Sequence, residues 1–193
     1  EALADSSIEF VPVRHEQGGA FMADVYGRLT GRAGVCLGTL GPGALNLVTA
    51  VADAYLDRAP RVALNGQGGL ERMQKASHQY IDVVRLMQPI TKWNARLSQP
   101  MIIPEVVRKA FKVAETEKPG ATHIELPEDV MAAEFDAKPL PRHNPVRPEP
   151  SARDLLRAAD LIRQAKTPIV LAGNGVVRGG AAPALREFAR ATG

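Results

Sequence analysis

Three groups of residues have types and spacing that suit chemistry. The carboxylate Glu16 follows Arg14-His15 at the start of a helix-like segment. The turn Gly41-Pro42-Gly43 opens a second helix-like segment, with Asn46 three residues on. The pair His78-Gln79 lies in a polar stretch without apolar period. A glycine turn that opens a helix lets backbone approach a ligand and can cradle phosphate. A carboxylate and such a turn, both at strand ends, belong in the crevice outside the carboxyl ends of a parallel sheet. The same residues have plain structural uses. Glu16 would be favoured at a helix N-terminus by the macrodipole, at about 0.3–1 kcal/mol. The turn could simply join strand to helix, and His78 and Gln79 could simply be solvated. No Walker pattern or GxGxxG is present, and Gly173-Asn174-Gly175 with Gly179-Gly180 departs from the dinucleotide fingerprint.

The elements that must position these residues follow from periodicity. Apolar residues over Glu9–Val13 predict a strand, and Phe21, Val25 and Leu29, with Met22 and Tyr26, predict the buried stripe of a helix over Glu16–Leu29. Val35–Thr39 is apolar on both faces, as a central parallel strand would be. A helix over Ala44–Asp57 and a strand over Val62–Asn65 come next, then a loop from Gln67-Gly68-Gly69 and the irregular segment Glu71–Gln88. Lys92–Leu97 alternates like a short strand. Pro104 starts a helix over Glu105–Glu115 with Val106, Val107, Ala110 and Val113 inward. Thr122–Leu126 is the last strand of the series. The pattern predicts an α/β fold, doubly wound, with a mainly parallel sheet and helices on both faces.

Residues 138–150 contain five prolines and no apolar period, which predicts an extended linker. The expected organisation is a first domain over 1–137, the linker, and the beginning of a second α/β domain over 151–193. Ser151 caps a helix over Ala152–Ala165, Ile169–Ala172 is expected to be a strand, and Ala181–Ala191 a helix. The N-terminal residues Glu1–Ser7 are expected to be the end of a helix and a turn, and both ends of the chain to be incomplete.

Net charge is only +3 with no block of like charge, which disfavours nucleic acid even if Arg14, Arg28 and Arg32 gather on one surface. No run reaches the length of a membrane span and no signal peptide is evident, so a cytoplasmic protein is expected. The lone Cys36 excludes an internal disulfide and a cysteine-based zinc cluster, and its mid-strand place predicts an inert core thiol.

Several motifs in order carry a resemblance. Arg14-His15-Glu16-Gln17-Gly18-Gly19-Ala20, Gly41-Pro42-Gly43-Ala44-Leu45-Asn46 and Asn65-Gly66-Gln67 are followed by Pro89-Ile90-Thr91-Lys92-Trp93-Asn94, Lys118-Pro119-Gly120 and Leu126-Pro127-Glu128-Asp129-Val130. Together they resemble the pyrimidine-binding domain of thiamine-diphosphate enzymes of the acetolactate synthase group, collinear over about 130 residues. The segment after the linker is similar to the start of that group's central domain.

The resemblance implies that Glu16 hydrogen-bonds N1′ of the aminopyrimidine ring. That bond favours the imino form whose nitrogen deprotonates the thiazolium C2. Such a glutamate is expected to be desolvated, with its pKa raised. Gly41, Pro42, Gly43 and Asn46 would lie against the pyrimidine, and Gln79, with His78, beside the reacting centre. The implied reaction condenses two pyruvates to 2-acetolactate with loss of CO₂.

Where biosynthetic members carry phenylalanine, an FAD-contacting arginine and a lysine, this chain has His78, Lys118 and Glu128, which is similar to the catabolic, FAD-independent type. The implied partners are thiamine diphosphate, with Mg²⁺ held by a separate domain and no metal ligand in this chain. The site would form at a subunit interface of a homo-oligomer, either homodimer or homotetramer, and this segment alone would be inactive. Pyruvate oxidase, other carboligases and decarboxylases share the Glu16 region and stay open as alternatives, as does a non-catalytic interaction domain of the same fold.

Overall fold

The computed structural model describes residues 3–192. They divide into two compact units between Arg147 and Pro148, inside the proline-rich segment.

In the first unit, helix α1 (Glu16–Thr30) leads to strand β1 (Gly34–Gly38), helix α2 (Pro42–Leu56) and strand β2 (Arg61–Gln67). A loop and the short helix α3 (Val83–Met87) precede strand β3 (Trp93–Arg96). Helix α4 (Ile103–Glu115), strand β4 (Ala121–Pro127) and the short helix α5 (Glu128–Ala132) complete it. The sheet is all parallel in the order β1-β2-β4-β3. Because side chains alternate across a strand, neighbouring residues feed different cores. Ala63 and Ala121 join α1, α2 and α3 on one face, around Leu47, Val51 and Met87. Val62 and Ile124 join α4 on the other, around Ala110, Ala114 and Leu97. The expected helices on both faces of a parallel sheet are therefore found.

Helix α1 ends where expected, on Gly31 at φ 68°, whose N–H closes on the Gly27 carbonyl. Its buried face differs from the predicted one. Ala20, Ala23, Asp24 and Gly27 are buried, whereas Met22, Val25, Tyr26 and Leu29 are exposed, Leu29 to 82%. The cause is close approach. A Cβ on Gly34 would stand 2.1 Å from the Ala23 carbonyl oxygen, so the helix meets the sheet through its smallest residues. Arg28, paired with Asp24 of its own helix at 2.8 Å, then ties α1 to the end of α2 through ion pairs with Asp53 and Asp57 at 2.7 and 2.6 Å. It is thus engaged locally rather than offered as part of a positive surface.

Three further expectations fail in the first unit. Residues 9–13 form no strand, and Phe10, Val11 and Val13 are exposed, because no strand among the described residues lies beside them to accept their backbone hydrogen bonds. Strand β1 lies at the sheet edge rather than its centre, so its apolar second face, Val35 and Leu37, is left half open. In α4, Val107 is 39% exposed rather than inward.

The second unit contains helix α6 (Ala152–Gln164), the short helix α7 (Asn174–Arg178) and helix α8 (Ala182–Thr192). Ser151 caps α6 by accepting the Asp154 N–H at 3.2 Å. The expected strand at Ile169–Ala172 is absent, with Ile169 and Leu171 more than 90% exposed. No described residue of this unit is buried. An apolar run becomes a strand only against a partner strand, and none is described here.

Candidate functional site

Glu16 is the first residue of α1. His15 precedes it as the cap, its Nδ1 accepting the Gln17 N–H at 3.2 Å. Asn46, in the first turn or so of α2, donates from Nδ2 to Glu16 Oε2 at 3.0 Å. The close packing of α1 and α2 brings these two side chains together across the start of both helices. The Asn46 donor, aided by backbone N–H and weakly by His15, holds the Glu16 carboxyl below the usual carboxylate range despite partial burial. This corrects the expectation of a raised value. The side chain is only half-buried, and one neutral donor outweighs the desolvation it feels.

The turn beside it is shaped by its glycines. Gly41 sits at φ 55°, in the left-handed region, and a Cβ there would stand 2.6 Å from the Gln79 carbonyl oxygen. A Cβ on Gly43 would lie 2.7 Å from Thr39 Cγ2 and 3.2 Å from Glu16 Oε1. Pro42, at the first helical position, presents no N–H. The structure thus brings Glu16, Gly43 and Asn46 into one group, with Gly41 and Gln79 in contact next to it. Gln79 is exposed and itself lies at φ 57°, held with its backbone over Gly41.

Glu16 borders a cleft of about 1330 Å³ whose lining also includes Thr39, His78 and Arg72 among mainly apolar side chains. His78 therefore faces the same space as Glu16, whereas Gln79 meets the turn. Among the described residues, no group of three or more His, Cys, Asp or Glu side chains could hold a metal ion. Cys36 is buried, and burial pushes its thiol pKa up, as suits an inert core residue.

A second polar cluster was not foreseen as such. Glu125 is fully buried at the end of β4, accepting from Arg96 Nε and from Gln67 Nε2, the latter at 3.1 Å. Gln67 Nε2 also donates to the Ile81 carbonyl at 2.9 Å. His123, equally buried, bonds Asn65 through Nε2, and burial lowers its pKa to about 4. The available signal was three polar residues, Thr122, His123 and Glu125, inside the strand expected over Thr122–Leu126.

The comparisons with known proteins bear on this geometry. Residues 1–86 match the family described as "Thiamine pyrophosphate enzyme, N-terminal TPP binding domain". Over 98% of its length the chain is 41% identical to the "Probable acetolactate synthase large subunit" of Methanocaldococcus jannaschii, covering 33% of that protein. It is 40% identical over 98% of its length to the acetolactate synthase large subunit of Corynebacterium glutamicum, covering 31%. It is 37% identical over its whole length to the acetolactate synthase isozyme 2 large subunit of Escherichia coli, covering 35%. The chain spans about a third of the length of these curated relatives.

Proposed function

Because the chain belongs to the thiamine pyrophosphate enzymes, carrying their N-terminal TPP-binding domain, we propose that it is part of a thiamine-diphosphate-dependent acetolactate synthase. The reaction is condensation of two pyruvates to 2-acetolactate with release of CO₂. The observation that carries the assignment is the Glu16 carboxylate, held by Asn46 beside the Gly41–Gly43 turn at the rim of the cleft.

The residues present fit an aminopyrimidine ring. Gly43 keeps the space beside Glu16 clear of a side chain, and Gly41 lets the Gln79 backbone pack on the turn. Glu16 has one oxygen engaged by a neutral amide and the other beside Gly43, which suits it to share a proton with a ring nitrogen. When bound, thiamine diphosphate supplies a nucleophilic carbon that adds to a 2-keto acid and accepts the electron pair left by CO₂. Glu16 would hold the proton at the ring nitrogen. Asn46 fixes the orientation of Glu16, and docking of the ring would strip solvent from the carboxylate and push its pKa upward, against the lowering by Asn46. His78 borders the same cleft as Glu16, and Gln79, packed on the Gly41 turn, is assigned on the family resemblance to the side of the reacting centre.

The diphosphate and Mg²⁺ are assigned, on family resemblance, to a separate domain facing this one across a subunit interface of a homo-oligomer in the cytoplasm. Lys118 and Glu128 support a flavin-free, catabolic type. A single flexible ammonium at position 118 does not reproduce the paired hydrogen bonds of a guanidinium.

The test is purified complete enzyme supplied with pyruvate, thiamine diphosphate and Mg²⁺. The expected result is acetolactate formation dependent on both additions, without flavin absorbance. Acetaldehyde or acetyl phosphate as sole product would transfer the chain to a decarboxylase or an oxidase. A stoichiometric flavin would overturn the catabolic type.

A further inference from the structure

The segment between β2 and α3 carries His78 and Gln79 but has little structure of its own. Its regular part is one short helical turn, Leu70–Arg72. Three of its residues other than glycine, Gln74, Ala76 and Gln79, have positive φ, at 69°, 49° and 57°. Backbone in that region persists only where the surroundings impose it. The surroundings here are two anchors at its ends. At the start, the Leu70 N–H donates to Asp129 Oδ2 at 2.9 Å, and Arg72 pairs with Glu128 at 3.3 Å. At the end, Gln67 Nε2 donates to the Ile81 carbonyl at 2.9 Å, two residues beyond Gln79.

The second anchor is built to be stiff. Gln67 is 2% exposed, and its amide is used in full. Nε2 donates to Ile81 and to Glu125 Oε1, while Oε1 accepts the Gly68 N–H at 3.0 Å. Glu125 is braced in turn by Arg96, whose Nη2 also lies 3.9 Å from Asp82. Charge-assisted bonds around a buried carboxylate hold geometry more firmly than neutral ones. From this brace the chain runs back to Gln79, whose backbone rests on Gly41, and so to the Glu16–Asn46 pair.

We infer that Gln67, braced by Glu125 and Arg96, is a positioning residue that sets the His78-Gln79 segment against the Gly41 turn. Its consequence for catalysis rests on the proposed function; its consequence for the segment does not.

The test uses the complete enzyme and Gln67→Met, which keeps length and burial but removes both donors. Amide hydrogen exchange should show protection of residues 77–82 falling about tenfold, with β2 and β4 unchanged. Turnover of pyruvate should fall about tenfold while affinity for thiamine diphosphate stays within twofold. Arg96→Lys, which keeps a cation beside Glu125 and leaves the Gln67 contacts in place, should retain protection within about threefold. If Gln67→Met does not fold, Gln67→Asn, one methylene too short to span Ile81 and Glu125 together, reads the same quantity. Unchanged protection at 77–82, or a loss spread evenly through the sheet, would overturn the positioning role. Absence of acetolactate synthesis by the wild type would overturn the proposed function, while the exchange result still decides the anchor.

Discussion

Glu16 and Glu125 each accept a hydrogen bond from a side-chain amide, Asn46 for the first and Gln67 for the second, yet their settings are opposite. Glu16 is half-buried beside an open cleft, without a cationic partner among its hydrogen bonds, and its pKa is lowered, chiefly by the Asn46 donor. Glu125 is wholly buried, and both oxygens are engaged, one by the guanidinium of Arg96. The difference separates a carboxylate able to accept a new partner from one whose capacity is used in holding the fold. Burial alone would have pointed to Glu125 as the functional acid. The arrangement of donors points to Glu16.

The largest expected effect of breaking the sealed side comes from Arg96→Ala. Removing one partner of a buried pair leaves an uncompensated charge, with a cost of about 3–5 kcal/mol. Part of Arg96 is exposed, so the lower end of that range is expected in urea unfolding of the chain. A loss below about 1 kcal/mol would show that Glu125 is solvated on its own.

His123 extends the sealed side and gives it a pH signature. Its folded pKa of about 4 lies below the ordinary 6.5. Above pH 6.5 both folded and unfolded forms are neutral and the full stability is present. As pH falls from 6.5 toward 4, the unfolded chain binds the proton first and stability declines, by roughly 3 kcal/mol at most. His123→Gln should flatten the urea midpoint between pH 6.5 and 5, above the range where carboxylates titrate. An equal slope in both proteins would show that His123 does not titrate in this way.

The open side is sharpened by two glycine substitutions. Gly41→Ala places a side chain at positive φ against Gln79 and should cost about 1–3 kcal/mol. Gly18→Ala, in α1 with nothing within 4 Å of the new Cβ, should stabilise the chain by about 0.4–1 kcal/mol. Equal thermal shifts from the two would mean that the Gly41 turn has no special geometry.

What could be seen in advance follows the same division. Helix spans were legible, since α1 closes at Thr30 against an expected Leu29, and α4 and α6 begin within two residues of expectation. Periodicity finds a helix but does not decide which face approaches the sheet. That was settled in α1 by the small residues Ala20, Ala23 and Gly27, against the larger stripe ending at Leu29. Strands depend on partners far along the chain, so the apolar runs at 9–13 and 169–172 read as strands although neither pairs. Glu16, Asn46 and the glycine turn were reached through collinear motifs rather than through period. Gln67 was quoted within one of those motifs without a role, because its bond to Ile81 depends on a loop whose course no local pattern records.

The most direct test of Glu16 as the proton-sharing group is C2–H exchange of thiamine diphosphate bound to the complete enzyme, in the wild type and in Glu16→Gln. An amide cannot carry the shared proton. Exchange is therefore expected to slow by about 10²–10⁴-fold, while the unfolding midpoint stays close to that of the wild type. Exchange at the wild-type rate in the folded, cofactor-loaded variant would contradict the assignment.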